Sequence, residues 1–189
     1  MYSITPEMVL EAYKIGVFPM ADEMGNNEIY WVEPEYRGII PLEKFKVSKS
    51  LKQTLKSGKY YVTINHDFEL VMRNCANRES TWISEEIIEI YYNLYEMGYA
   101  FSFETRDSNH CLVGGLYGVA LGKAFFGESM FSLKTDASKV ALYVLVNWMQ
   151  ENNMTLLDTQ YISDHLKTLG AIEITREAYK QLLHKALFE

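Results

Sequence analysis

Residues 114–132 read GGLYGVALGKAFFGESMFS. This run holds five glycines, three phenylalanines, one lysine and one carboxylate. Its two apolar halves have the length and composition of β-strands, and Gly122-Lys123 supplies a turn between them. The second half sets Glu128 among Phe125, Phe126, Met130 and Phe131. Burying a carboxylate among aromatic rings is costly unless something pairs with it. Glu128 therefore faces either water or a ligand. Strict strand alternation puts Phe126, Glu128 and Met130 on one face and Phe125 on the other. A bulge at Gly127 would bring Phe125, Glu128 and Met130 together.

Outward from this run, residues 99–113 supply a further strand, with a turn at Asp107-Ser108-Asn109, so that 99–131 form a three-stranded meander. A helix over 137–152 leads into a buried strand at 155–161. A short helix over 164–169 stops at Gly170, and a last strand and helix follow. On the N-terminal side, Thr5 caps a helix over 6–15 that ends at Gly16. Residues up to Pro41 read as irregular. Ser48 caps a helix that stops near Gly58, a strand covers 60–65, and helices cover 67–76 and 84–97. Strands joined by crossover helices imply helices layered on a sheet. The expected class is α+β: a small N-terminal α/β lobe over 1–65, then a larger domain over 66–189. The larger domain has a mixed, mostly antiparallel sheet flanked by helices.

With 189 residues, 48% of them hydrophobic, the chain can bury a core without staples. Its apolar stretches are strand-sized, so no membrane-spanning helix is expected. The opening MYSITPEMVLEAYKIG has no basic region followed by an apolar one, so no secretory signal is expected. Cys75 and Cys111 have no metal-like spacing and read as buried free thiols of a reducing cytosol. The net charge is −7, unevenly spread. Residues 44–59, KFKVSKSLKQTLKSGK, hold six lysines and no acid, which leaves 12 basic and 25 acidic residues elsewhere, a net of −13. Lys49, Lys52, Lys56 and Lys59 recur at steps of three and four, one face of a helix. Such a stripe is either a solvated face or a phosphate-contacting one.

Asp158 and Gln160, in the stretch Leu156-Leu157-Asp158-Thr159-Gln160, are two apart and share a strand face. The carboxylate there could polarise the amide, or the two could be a satisfied polar strand end. Ser163-Asp164-His165 reads as a helix start, with capping rather than catalysis as its role. His66, His110 and His184 share no metal-ligand spacing. The glycines of 114–122 do not make a phosphate-binding loop and serve close packing instead. No GxSxG elbow is present, so covalent catalysis is not indicated.

In combination, these residues resemble the leucyl/phenylalanyl-tRNA–protein transferase family. The likeness runs through Gly16-Val17-Phe18-Pro19, Trp31 with Pro34, Thr81-Trp82-Ile83, the 114–119 and 126–132 segments, Ala137-Ser138-Lys139, Leu157-Asp158-Thr159-Gln160 and His165 to Gly170. Each is weak alone; their order along the whole chain is specific. The resemblance implies a GNAT-like C-terminal domain. It implies transfer of Leu or Phe, less well Met, from Leu-tRNA or Phe-tRNA to proteins with an N-terminal Arg or Lys. The products would pass to an N-degron adaptor and protease. By resemblance, Asp158 and Gln160 are the catalytic pair. Phe125, Glu128 and Met130 line the site, which requires a bulge at Gly127, and without a bulge Phe126 lines it instead; Leu116, Leu145, Met149 and Leu157 stand at apolar pocket positions. Trp82 packs on the terminal adenosine, Lys49 and Lys56 match the family's tRNA-binding cluster, and Lys52 and Lys59 would restore the rest of the stripe.

Two departures stand out. Met20 occupies the position of a second adenosine-packing Trp, with Tyr30 and Trp31 nearby, and Gln53 and Ser57 replace basic residues. The chain resembles a shorter form of the family. The donor is an ester already activated, so no ATP, cofactor or metal is expected. A cytoplasmic location with neither membrane nor DNA partners is expected. Two rival readings are an acyl-CoA N-acyltransferase and a non-catalytic tRNA- or N-degron-binding module. The first lacks a Q/RxxGxG/A loop, since the corresponding turn reads LKTDASK.

Overall fold

The structure is a computed structural model describing residues 4–21 and 28–189. Its strands are β1 (Phe18–Ala21), β2 (Ile29–Val32), β3 (Tyr36–Ile40), β4 (Tyr60–Ile64), β5 (Ala100–Asp107), β6 (Leu112–Leu121), β7 (Ala124–Ser132), β8 (Leu156–Gln160) and β9 (Ile172–Thr175). Its α-helices are α1 (Pro6–Lys14), α2 (Lys49–Ser57), α3 (Phe68–Ala76), α4 (Glu85–Glu96), α5 (Ala137–Glu151), α6 (Asp164–Thr168) and α7 (Arg176–Phe188). Thr5, Ser48, Ser84, Ser163 and Thr175 each accept a backbone N–H with the side chain at a helix start. Each satisfies a donor that would otherwise be orphaned.

β1 and β2 form a two-stranded ribbon, and the other strands form one sheet in the order β4-β5-β6-β7-β8-β3-β9. Every neighbour in that sheet is antiparallel except β7 and β8. The irregular segment expected up to Pro41 thus contains three strands. The expected lobe boundary at residue 65 falls just after β4, and both β3 and β4 belong to the large sheet.

Two apolar clusters fill the layers. On one face, α5 supplies Leu142, Leu145, Val146 and Met149 against Phe103, Leu116, Phe125 and Leu157 of the sheet. On the other, α1, α3, α4 and α7 pack with Tyr117, Val119, Phe126 and Leu156. Gly118 makes the middle of the sheet possible: a Cβ there would lie 2.2 Å from the Phe126 carbonyl and 2.5 Å from the Phe125 ring. Thr54 of α2 donates to Asp136 at the start of α5 (3.0 Å), and Lys139 also bonds that carboxylate (3.1 Å), fixing the lysine-bearing helix beside the sheet.

Candidate active site

β7 and β8 pair only through Ala124–Leu156, Phe125–Leu157 and Phe126–Asp158. Beyond this point a cavity of about 210 Å³ opens between them. Gly127, Glu128 and Met130 of β7 and Leu157 and Thr159 of β8 line it. Leu116 and Tyr117 of β6 and Leu142 and Leu145 of α5 close it behind, and Arg78, Ser129, Ser163, His165 and Leu166 complete it.

Of the two strand readings left open by the sequence, the bulged one is present. Gly118 pairs with Gly127 and Tyr117 with Ser129, so Glu128 itself is the extra residue on β7. The offset inverts the alternation beyond it. Phe125 and Met130 therefore lie on the α5 face, while Phe126 lies on the other face with its ring 4.6 Å from that of Tyr13. Phe126 does not line the cavity, a difference from the expectation that follows directly from the bulge. Phe125 and Met149 are fully buried behind the cavity wall.

The bulge leaves Glu128 9% exposed. Its Oε1 accepts hydrogen bonds from the Tyr13 hydroxyl and from Gln160 Nε2 (2.9 Å). Tyr13 in turn shares a 2.5 Å hydrogen bond with Tyr91. Glu128 Oε2 is buried and has no hydrogen-bond partner among the described residues. Burial raises the Glu128 carboxyl from its ordinary 4.5 to about 7. The hydrogen bonds from Tyr13 and Gln160 oppose that rise, and the nearby Asp158 adds to it. Desolvation likewise pushes the hydroxyls of Tyr13, Tyr91 and Tyr117 up, and the charge of Glu128 adds to the effect.

Asp158 is fully buried and does not line the cavity. Its carboxylate accepts from Arg37 Nε (3.0 Å) and Nη2 (2.7 Å), the Tyr179 hydroxyl (2.6 Å) and the Gln160 backbone N–H (2.7 Å). The idea that Asp158 polarises the Gln160 amide is therefore corrected. Gln160 has φ +62°, a left-handed conformation rare for a non-glycine residue, so simple alternation fails at this strand end. Asp158 holds the Gln160 backbone, and the Gln160 side chain holds Glu128. The Arg37 guanidinium lies between the rings of Phe18 (4.6 Å) and Tyr179 (4.5 Å) and donates to the Gly16 carbonyl (2.8 Å).

Trp82 and Met20 are partly buried against the α1/α3/α4 core, outside the cavity lining. Met20 lies opposite Tyr30 across the ribbon, and Tyr30 and Trp31 are exposed. Lys49, Lys52 and Lys56 are exposed on α2. Lys59 is not on that helix face, because Gly58 ends α2 in a left-handed conformation, and its ammonium sits over the Tyr60 ring at 4.7 Å. Ser163 caps α6 as expected, but His165 also lines the cavity. Burial and the nearby Lys139 charge lower the His165 pKa. Sequence reasoning missed Arg37, Tyr13, Tyr91 and Tyr179. The signal for Arg37 was an arginine inside the otherwise apolar strand YRGII. The tyrosines gave none. Of the two free thiols expected to be buried, Cys75 is, whereas Cys111 is exposed.

The chain matches the family description "Leucyl/phenylalanyl-tRNA protein transferase" over residues 39–184 and that family's N-terminal domain over residues 2–35. It is 51% identical to the leucyl/phenylalanyl-tRNA–protein transferase of Paramagnetospirillum magneticum, over all of this chain and 92% of that one. Among solved structures it resembles FemX, with TM-score 0.56 and 11% identity, covering 92% of this chain and 69% of that one. It also resembles a fungal GCN5-related glucosamine N-acetyltransferase region, with TM-score 0.51 and 11% identity, covering 74% of this chain and 20% of that one. The last two likenesses show a GNAT-like fold.

Proposed function

Because this chain belongs to the leucyl/phenylalanyl-tRNA–protein transferase family and so transfers aminoacyl groups from tRNA to proteins, we propose that it moves Leu or Phe, and less well Met, onto the α-amine of N-terminal Arg or Lys. The observation that carries this reading is the cavity itself. Its floor is apolar, built from Leu116, Leu142, Leu145, Leu157 and Met130, and its edge holds Glu128, whose Oε2 has no partner among the described residues. The apolar floor suits an unbranched-at-Cβ donor side chain, and the carboxylate suits a cationic acceptor terminus. Glu128 lies beside the incoming amine, Gln160 holds it there, and Asp158 supports Gln160 from behind.

The chemistry needs little more. Aminolysis of an ester runs downhill, and an α-amine with an ordinary pKa of about 7.7–8.0 is partly neutral near pH 7. Positioning the two reactants supplies much of the acceleration, about 7–11 kcal/mol in the best intramolecular systems. Trp82 and Met20 are assigned to the terminal adenosine, and Lys49, Lys52 and Lys56 to the tRNA backbone. Marking substrates for an N-degron adaptor in the cytoplasm follows from the same reading.

Peptides beginning with Arg, Lys, Asp or Met, incubated with the enzyme and radiolabelled Leu-tRNA, test the acceptor side. Label is expected on the Arg and Lys peptides, and label confined to other peptides would refute the assignment. A donor screen tests the pocket. An apolar slot discriminates by about 1–3 kcal/mol per methylene, so Leu, Phe and Met are all expected to transfer, while β-branched Ile and Val transfer poorly. A preference for Ile would contradict the pocket assignment. Replacing Lys49, Lys52 and Lys56 together by Ala is expected to lower the slope of log affinity against log salt by roughly two to three, one per lost phosphate contact. An unchanged slope would leave that helix a solvated face.

A further inference from the structure

We propose that Glu128 carries the proton in this reaction, its Oε2 accepting it from the attacking α-amine and returning it to the departing ribose oxygen. The proposal rests on the aminoacyl-transfer reading above and adds a chemical role to a group so far assigned only to holding the acceptor.

Three buried side-chain oxygens lack hydrogen-bond partners among the described residues: Tyr117 Oη, Glu128 Oε2 and Thr159 Oγ1. All three belong to residues lining the one cavity. A buried polar atom without a partner is expensive, and Glu128 Oε2 belongs to a residue that lines the cavity, so a polar ligand entering there would complete it; the Tyr117 ring instead packs against Phe68 and Tyr91 in the opposite layer. Only the Glu128 oxygen can take a proton from an amine at neutral pH. The two ends of its carboxylate are not equivalent. Oε1 is occupied by the Tyr13 hydroxyl and the Gln160 amide, which leaves Oε2 as the open proton acceptor. The bulge that makes Glu128 the extra residue of β7 puts it at the boundary between the apolar cavity and this polar network.

The step balances with one proton. The neutral amine's lone pair attacks the ester carbonyl carbon, the C–N bond forms, and the nitrogen's proton passes to Oε2. The tetrahedral oxyanion collapses, the C–O bond to the ribose breaks, and the departing oxygen takes the proton from Oε2. Glu128 ends as it began. A base titrating near the pH of the reaction suits this exchange, and burial holds this carboxyl at about 7. The groups facing it are Tyr13 of α1, Tyr91 of α4, Tyr117 of β6, and Asp158 and Gln160 of β8. The charge of Asp158 is paired with Arg37 of β3, and Cys75 of α3 and Arg78, just past the end of α3, lie beside Tyr117. His165 of α6 is the cavity's imidazole.

The test is kcat/KM for an Arg-initiated peptide against pH, with charged tRNA as donor. The unaltered enzyme needs both a neutral amine and an ionised Glu128, so log kcat/KM is expected to rise with a slope of two below pH 7. Glu128→Gln keeps the shape and an acceptor for Tyr13. It is expected to show a slope of one and a rate on the order of 10²–10⁴ lower at pH 8, with donor KM little changed. Loss of fold is separated by melting. The folded-state pKa of Glu128 lies above its ordinary 4.5, so ionisation opposes folding and stability falls as pH rises from about 4.5 to about 7. Glu128→Gln is therefore expected to melt no lower than the unaltered chain at pH 8. A rate within threefold and a retained slope of two in Glu128→Gln would overturn the proposal. So would a slope of one appearing in His165→Gln while Glu128→Gln kept its slope of two. If the unaltered chain transferred nothing, the underlying reading would fail and this proposal with it.

Discussion

Replacing Arg37 by Met is expected to destabilise the fold by about 3–5 kcal/mol, because it leaves the Asp158 carboxylate buried without its counter-charge. Arg37 is 1% exposed and Asp158 is 0% exposed, so solvent cannot screen the orphaned charge. The same guanidinium also fills the space between Phe18 and Tyr179 and bonds the Gly16 carbonyl, joining the α1–β1 turn to α7. Domains of this kind hold about 5–15 kcal/mol in total, so the loss is a large fraction of what keeps the chain folded. Urea unfolding measures it. Tyr179→Phe keeps the ring over Arg37 and removes one of the bonds to Asp158, with an expected loss of about 1–2 kcal/mol. The double change Arg37→Met with Asp158→Leu should recover much of the single mutant's loss, since a buried ion pair replaced by apolar groups is often neutral. A loss below 1 kcal/mol in Arg37→Met would show that the pair is not the tie between these elements.

Gln160→Ala is expected to slow transfer about 100-fold while donor binding changes little. The Gln160 amide fixes Glu128 through a 2.9 Å hydrogen bond, and the Gln160 backbone is held in its left-handed conformation by the Asp158 carboxylate. Truncation to Ala frees Glu128 to turn toward any other donor in the cavity, and a misplacement near 1 Å in a positioned reactant costs about that factor. Single-turnover transfer with saturating charged tRNA separates the rate from the affinity. Equal losses in both would assign Gln160 to donor binding instead.

Much of this architecture can be read from the chain itself. The capping residues Thr5, Ser48, Ser84 and Ser163 mark helix starts because the donors they satisfy are local. The meander over 99–131 is legible because its two turns and its alternation are local as well. The strands β1, β2 and β3 escape that reading. Each is four or five residues long, β1 contains a proline, and β3 finds its partners at β8 and β9, far along the chain. Lys59 escapes for the opposite reason: the three-and-four spacing continues past Gly58, but the helix does not. The sequence leaves a bulge near Gly127 as one of two readings, the one that brings Phe125 and Met130 to one face as the family resemblance implies. That Glu128 is the extra residue does not follow. The network behind it joins residues 115 positions apart in the case of Tyr13 and Glu128, and 121 in the case of Arg37 and Asp158. No local pattern announces such pairs. What the sequence does carry is the anomaly each creates, a carboxylate among aromatic rings and an arginine in an apolar strand.

The measurement that bears most directly on the site is transfer of radiolabelled Leu from charged tRNA to an Arg-initiated peptide, with the unaltered chain and Gln160→Ala side by side. The account predicts label covalently joined to the peptide's N-terminus with the unaltered chain, and equal donor binding but transfer about 100-fold slower with Gln160→Ala. Tight binding of donor and peptide by the unaltered chain, with no label transferred, would contradict it.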